Sequence, residues 1–177
     1  IRVLDLQKKT VSTLAGTGKQ AAWRSTGGVG TQAALSSPWD VLLLNNSLYI
    51  AMAGPHQIWK FDMESRRVAP WAGSGYEART DGSLQSAALA QPSGLATDGT
   101  QIFFADSESS SVRSASLRNL QVKTLAGGGN VSTLFTFGDR DGNGTQARLQ
   151  HPLAVVHRDG IVYVADTYNH KIKTIDV

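Results

Sequence analysis

The feature that most constrains the fold of this chain is a strand-forming segment that recurs three times. Ala51, Ala105 and Ala165 mark equivalent points of the copies and are separated by 54 and then 60 residues. Each alanine follows an aromatic residue by two places and precedes a β-branched residue by seven. These flanking pairs are Tyr49 and Ile58, Phe103 and Val112, and Tyr163 and Ile172. Repeats of this kind indicate a β-propeller or a solenoid, so the sequence predicts an all-β fold of adjacent antiparallel units, or blades.

The alternation of polar and apolar residues predicts four strands in each complete blade. A proline 13 residues before each alanine marks the start of the innermost strand, where its missing N–H removes no ladder hydrogen bond. These prolines are Pro38, Pro92 and Pro152. A glycine closes each outermost strand, namely Gly16, Gly73 and Gly127. This register predicts complete blades at residues 36–73 and 91–127, the end of a blade at 1–16 and an incomplete blade at 152–177.

The connectors between blades share apolar positions. Each has a glycine ten residues, an alanine five residues and a leucine three residues before the proline. The three sets are Gly28, Ala33 and Leu35; Gly82, Ala87 and Leu89; and Gly142, Ala147 and Leu149. Apolar residues in register within a loop indicate that the loop packs against a core. We therefore expect the alanine and leucine side chains to fill the gap between neighbouring blades.

Composition excludes several classes of site. The chain has 177 residues, 41% of them hydrophobic, and no cysteine, so it has no disulfide and no thiolate metal site. No apolar run approaches the roughly 18 residues of a membrane helix. The net charge of +3 is the difference between 17 lysines and arginines and 14 aspartates and glutamates. The basic residues are scattered, and their only adjacent pairs are Lys8-Lys9 and Arg66-Arg67. This scatter is typical of a solvated surface, and it does not favour nucleic-acid binding. Because the chain starts at Ile1 within a blade, we expect it to be a section of a longer protein.

Several stretches resemble the NHL-repeat family of β-propellers. The family signature corresponds to Asn169-His170-Lys171, and each copy has further matching segments. These segments are Ile50–Trp59, Ala105–Ser110, Phe137–Gly142 and Leu149–Leu153. The second copy departs from the pattern with Met52 where the others have Asp106 and Asp166, and the third has Ser110 where the others have histidine.

The resemblance implies the fold of an NHL-type propeller fragment with four-stranded blades. In the multidomain members that this chain resembles, the propeller lies beside a thioredoxin-like domain, which is the expected partner within the same protein. The resemblance implies a cytoplasmic location, or the thylakoid lumen of chloroplasts for a plant-type member. It implies no cofactor.

Acidic and histidine side chains at the end of the second strand are candidates for a structural role. A carboxylate at Asp106 or Asp166 can accept backbone N–H bonds and hold the turn that follows. His56 and His170 occupy equivalent positions, and we expect these histidines to hydrogen-bond across their turns. Asn169 of the signature, next to His170, is expected to have a structural role as well. A metal held by such histidines at the propeller channel is the alternative, since some NHL-type propellers are metal-dependent lyases.

Asp139, Asp141 and Asn143 form a second candidate, because they fit the first half of a calcium-binding loop with Gly144 at its sixth position. The twelfth position is Gln150 and not the bidentate glutamate of such loops. The sequence favours a turn rich in glycine and aspartate over a calcium site.

These patterns predict a non-catalytic, protein-binding scaffold module, because the loops of a propeller present a broad and rigid face to a partner. Two alternatives stay open: a metal-dependent lyase or hydrolase at the channel, and an RNA-binding surface. RNA binding requires a set of basic residues to share one face, namely Arg113, Arg140, Arg148, Lys171 and Lys173.

Overall fold

The computed structural model describes residues 1–129 and 133–177, and within them four antiparallel sheets follow one another along the chain. The first blade has two strands, β1 (Arg2–Asp5) and β2 (Thr10–Thr13). The second blade has β3 (Gly28–Val29), β4 (Pro38–Leu44), β5 (Ser47–Met52), β6 (Gln57–Asp62) and β7 (Arg67–Ala72). The third has β8 (Gly82–Ser83), β9 (Pro92–Thr97), β10 (Gln101–Asp106), β11 (Ser111–Ser116) and β12 (Gln121–Gly127). The fourth has β13 (Ala154–Arg158), β14 (Ile161–Asp166) and β15 (Lys171–Asp176). This arrangement is a propeller fragment with two complete and two partial blades, as the sequence predicts.

The four long strands of each complete blade pair consecutively, so their order from the inner to the outer edge follows the chain. Pro38 lies opposite Met52, and Pro92 lies opposite Asp106, at the first positions of β4 and β9. The innermost strands of successive blades also lie close together. A Cβ atom added to Gly94 of β9 would stand 2.6 Å from the Cα atom of Ala154 in β13, so only glycine fits this approach.

A fifth, two-residue strand lies on the outer edge of each complete blade. β3 pairs with β7 through Gly28 and Val68, and β8 pairs with β12 through Gly82 and Val122. The sequence predicts only four strands, because two residues are too few for alternation to be visible. The connector therefore first extends the sheet of the blade that it is about to enter, and then turns inward between the two blades.

The connector side chains fill the space between blades, which confirms the expectation from the sequence. Leu84, Ala87 and Leu89 are buried in one cluster with apolar residues of the second blade and of the third. Ala33 and Leu35 lie in the equivalent cluster between the first and second blades, and Leu149 lies in that between the third and fourth. Each apolar cluster thus belongs to two blades and one connector.

Helical structure in the described residues is limited to three short 3-10 turns, at Gly30–Gln32, Gly144–Gln146 and Thr167–Asn169. Among these residues, no helix has the length and apolar character needed to cross a membrane.

Replacing Leu89 with alanine is expected to destabilise the protein by about 2–5 kcal/mol, because its fully buried side chain would leave a cavity between two blades. Denaturant unfolding of the intact protein measures this change. Leu6→Ala is the matched control, since Leu6 is 80% exposed and its truncation should leave the free energy of unfolding within about 0.5 kcal/mol. Equal losses for the two variants would contradict the packing role of the connector.

Candidate functional site

A groove of about 510 Å³ opens where the innermost strands of three blades begin. It is lined by residues one and two places after each proline, by residues that follow the second strands, and by the residue before Pro152. We call this set the axial groove; its residues are Trp39, Asp40, Ser93, Gly94, Ser107, Glu108, His151, Leu153, Ala154 and Tyr168. Equivalent positions of the repeat therefore converge on one surface.

A β-bulge places Trp39 in the groove. The register between β4 and β5 shifts between Pro38 and Asp40, so Trp39 has no partner in the ladder. An extra residue at a bulge bends the strand and directs its side chain away from the regular pleat. The Trp39 side chain is 52% exposed and lies on the rim of the groove.

Asp40 ties the second blade to the third inside the groove. Its Oδ2 atom accepts a hydrogen bond of 2.7 Å from the backbone N–H of Leu95 in β9. Its Oδ1 atom accepts one of 2.8 Å from the N–H of Val41. The carboxylate therefore holds two innermost strands together and contributes a negative charge to the groove.

Aromatic rings and a second carboxylate form the opposite wall. His151 stacks on Tyr168 with 4.6 Å between ring centroids, and its Nε2 atom lies 3.4 Å from Oε2 of Glu108. Tyr168 is 58% exposed, and Leu153 is also exposed. The groove thus combines exposed aromatic faces with two carboxylates, while no lysine or arginine is among its lining residues.

Sequence reasoning did not identify this groove. None of Trp39, Glu108 and Tyr168 is among the candidate residues that the sequence predicts. The repeat pattern does contain a signal for the groove. Residues after each proline and after each second strand are equivalent between copies, and equivalent positions on neighbouring blades must surround the same axis.

Asp106 and Asp166 link their blades to the preceding connectors. The Oδ1 atom of Asp106 accepts a 2.8 Å bond from the N–H of Ala90, and that of Asp166 accepts a 2.7 Å bond from the N–H of Gln150. Their Oδ2 atoms also accept bonds from the following turn, from Ser109 Oγ at 2.9 Å and from Asn169 Nδ2 at 2.8 Å. The sequence predicts that these carboxylates accept bonds from the turns that follow them. It does not predict the bonds that they accept from the connectors.

A buried ion cluster surrounds Asp106 in the third blade. The guanidinium of Arg113, fully buried, donates to Asp106 at 2.9 Å and to Asp81 of the connector at 3.0 Å. The equivalent positions of the fourth blade hold a similar cluster, in which the Lys173 Nζ atom lies 2.9 Å from Asp141 and 3.9 Å from Asp166. Both clusters join a second strand, a third strand and a connector.

The second blade replaces all three charged residues together. Met52, Trp59 and Gly27 stand where the third blade has Asp106, Arg113 and Asp81. Met52 and Trp59 are fully buried, and the Trp59 indole N–H donates to Gln57 at 2.9 Å. Because an unpaired buried charge is costly, a charged cluster and an apolar one are each stable only when complete.

The residues at the left-handed turn position bond to the next blade. His56 has a φ of 54°, and its Nδ1 atom accepts a 3.3 Å bond from the N–H of Gln91. Ser110, with a φ of 49°, accepts a 3.4 Å bond at Oγ from the N–H of His151. The backbone N–H of His56 donates across its own turn to the Ala53 carbonyl at 3.1 Å, while its side chain contacts the neighbouring blade, which the sequence does not predict. His170 has the same backbone conformation, with a φ of 56°.

Gln91 and His151 themselves have positive φ values of 58° and 45°, although each precedes a proline. Such a conformation is unfavourable before proline. The bonds from the preceding blade help to hold it. The glycines that close the outermost strands also have positive φ, namely Gly16, Gly73 and Gly127.

Lysine side chains form hydrogen bonds with the carboxylates of the candidate calcium loop. Asp139 accepts bonds from Lys171 and from Lys173, and Asp141 accepts one from Lys173 at 2.9 Å. The bonds from Lys171 and then Lys173 lower the pKa of Asp139. Partial burial lowers the pKa of Lys173, but its bonds to Asp139 and Asp141 outweigh this and raise it. Asn143 precedes a 3-10 turn without a side-chain cap bond. Within residues 1–129 and 133–177, no three histidine, aspartate or glutamate side chains are grouped to hold a metal ion.

The five basic residues that RNA binding requires do not form one open cationic face. Arg113 is buried, and Lys171 and Lys173 are paired with aspartates. Arg140 donates to the carbonyl of Gln146, and Arg148 donates to the carbonyls of Thr145 and Ala147.

Replacing Asp106 with methionine is expected to destabilise the protein by about 3–5 kcal/mol, because Arg113 loses its buried partner. Arg113→Met should also destabilise, whereas the double variant should lose less than the sum of the two, with a coupling of about 2 kcal/mol. Chemical denaturation of all four proteins gives this cycle. Asp159→Asn is the control, since the Arg158–Asp159 pair is exposed and contributes less than about 1 kcal/mol. Additive losses would show that the cluster is not a unit.

Calcium is expected to give no saturable heat when titrated into the intact protein at pH 7, because lysine ammonium groups already occupy Asp139 and Asp141. Calorimetric titration measures this, with Asp139→Asn/Asp141→Asn as the reference. A saturable heat in the native protein that disappears in this variant would establish a calcium site.

Comparisons with known proteins agree with the geometry, although no protein-family model matches the chain. The chain is 44% identical over 184 residues to the Arabidopsis thaliana protein SUPPRESSOR OF QUENCHING 1, chloroplastic. It is 44% identical over 203 residues to NHL repeat-containing protein 2 of Bos taurus. Both alignments cover 99% of this chain but only 17% and 28% of the two relatives, so the chain spans less than a third of their lengths.

A solved structure supports the fold. A Bacteroides thetaiotaomicron protein of unknown function matches with a TM-score of 0.75 and 16% identity, over 99% of this chain and 41% of that one. The in-register copies, the radial sheets and these similarities lead to one conclusion: the chain is part of an NHL-repeat β-propeller and resembles NHL repeat-containing protein 2.

Proposed function

We propose that this chain is a non-catalytic scaffold module that binds a protein partner at the axial groove. The observation that carries the proposal is the groove itself, where Trp39 and Tyr168 expose aromatic faces beside carboxylates of two different blades. Exposed aromatic residues on a rigid surface are the side chains that most often anchor a protein interface. The bulge at Trp39 and the stack of His151 on Tyr168 hold these rings before a partner arrives, which reduces the entropy lost on binding.

The module is proposed to act within a larger protein. Its relatives are more than three times as long as this chain, and the family resemblance adds a thioredoxin-like domain as the neighbour against which the propeller packs. Within the module, the proposed blade units are residues 36–73 and 91–127, with partial blades at 1–16 and 152–177. The four sets of long strands fall within these bounds.

The proposed location is the cytoplasm. The alternative for a plant protein is the thylakoid lumen of the chloroplast; the word chloroplastic in the name of the Arabidopsis relative supports the organelle.

The hydrogen bonds of the buried polar side chains support a non-catalytic role. The buried carboxylates of Asp106 and Asp166 are satisfied by backbone N–H groups and by basic side chains, and His56 accepts a backbone bond. These groups maintain blade geometry. The axial groove presents no acid, base and nucleophile in hydrogen-bonded sequence of the kind that covalent catalysis needs.

Affinity capture with the intact protein from its native cells tests the proposal. Partners held by the native protein are expected to be lost in a Trp39→Ala/Tyr168→Ala variant, since alanine at interface anchors costs about 2 kcal/mol or more. Leu43→Ala is the control, because Leu43 is exposed on β4 but does not line the groove. An unchanged set of partners in the double aromatic variant would refute binding at this site.

A further inference from the structure

We propose that the axial groove recognises a basic peptide segment, with an arginine or lysine side chain seated between the exposed aromatic rings and Glu108. This inference rests on the proposed function, because it names the chemistry of the partner for the same groove. It depends on three separate properties of the lining residues: their charge, their aromatic faces and their apolar floor.

Charge is the first property. Asp40 and Glu108 are the ionisable carboxylates among the lining residues, and neither lysine nor arginine accompanies them. The chain as a whole has a net charge of +3, so the groove has the opposite sign to the rest of the molecule. Low-dielectric walls concentrate the field of such carboxylates, which favours cations over anions and disfavours the phosphates of nucleic acid.

The two carboxylates have different roles. Both oxygens of Asp40 already accept backbone N–H bonds at 2.7 and 2.8 Å, so this residue supplies charge but not a free ligand atom. Glu108 is partly exposed, and within residues 1–129 and 133–177 its carboxylate has one polar partner, the His151 Nε2 atom at 3.4 Å. Glu108 is therefore the carboxylate available to accept hydrogen bonds from a guanidinium or ammonium group.

The aromatic faces are the second property. Trp39 belongs to the second blade and Tyr168 to the fourth. A ligand side chain that lies between these two rings is therefore next to Gly94 and Glu108 of the third blade. A cation over the face of tryptophan or tyrosine is attracted by the ring quadrupole. Arginine combines this attraction with planar hydrogen bonding to a carboxylate.

The apolar floor is the third property. Leu153 and Ala154 line the fourth-blade side of the groove, and Gly94 has no side chain. Arginine and lysine have aliphatic stems that pack on such surface while the charged group lies elsewhere. A short acidic or purely aromatic ligand matches only part of this surface.

The test uses the intact protein and two synthetic hexapeptides, Ser-Gly-Arg-Gly-Arg-Ser and the same peptide with citrulline in place of arginine. Citrulline has nearly the same shape without the charge. NMR titration of the Trp39 indole N–H, assigned through the Trp39→Phe variant, is expected to show saturable shifts with the arginine peptide. The citrulline peptide should bind about 2- to 30-fold more weakly, as expected for loss of a cation–π contact and its ion pair.

Two variants locate the effect. Glu108→Gln should lower affinity for the arginine peptide to a value between the native affinities for the arginine and citrulline peptides, because the ion pair is lost and the aromatic rings remain. Asp159→Asn, which removes an exposed carboxylate outside the groove, should leave the affinity unchanged. Equal binding of the two peptides, or equal loss in the two variants, would overturn the inference. Tighter binding of a single-stranded RNA octamer than of the arginine peptide, with shifts at the Trp39 indole, would also overturn it.

The same variants separate this inference from the proposed function. If Glu108→Gln retains the captured cellular partners and Trp39→Ala/Tyr168→Ala loses them, the groove binds protein but does not select a basic segment. If neither variant loses them, both ideas fail.

Discussion

Packing between blades is the interaction on which the rest of this structure depends. Each complete blade has buried apolar residues on both faces, and each apolar cluster is shared by two blades and the connector between them. The connector is therefore a core element and not a surface loop. Its small and branched residues, such as Ala87 and Leu89, set the separation of the blades. That separation fixes where the innermost strands meet, and hence the shape of the groove at their ends.

The polar anchors of the connectors follow from the same requirement. A buried connector must satisfy its backbone N–H groups. Asp106 and Asp166 do this for Ala90 and Gln150, at the cost of burying a carboxylate. The basic residues at the next strand offset that cost, and the second blade avoids it with Met52 and Trp59. Equivalent packing positions in different blades are thus filled either by a charged cluster or by apolar side chains.

The fold was largely predictable from the sequence, because strand alternation and the spacing of proline and alanine are local patterns that repeat. The burial of Leu35, Leu89 and Leu149 was predictable for the same reason. The short outer strands were not predicted, because a strand of two residues is too short to show the alternation of polar and apolar residues. The direction of the His56 bond was missed because it depends on the sign of φ at that residue and on a neighbour 35 residues away. The groove was missed because its members are distant in sequence, and only the rotation between blades brings Trp39 and Tyr168 to one surface.

Two bonds between blades have the same direction: the backbone N–H groups of Gln91 and His151 each donate to a side chain of the preceding blade, His56 and Ser110 respectively. The second blade thereby supports the proline turn of the third, and the third blade supports that of the fourth. His151 is itself a wall of the groove, so a serine on the third blade helps to position a groove residue on the fourth. A substitution at Ser110 would therefore change the shape of the groove although Ser110 is not among the residues that line it.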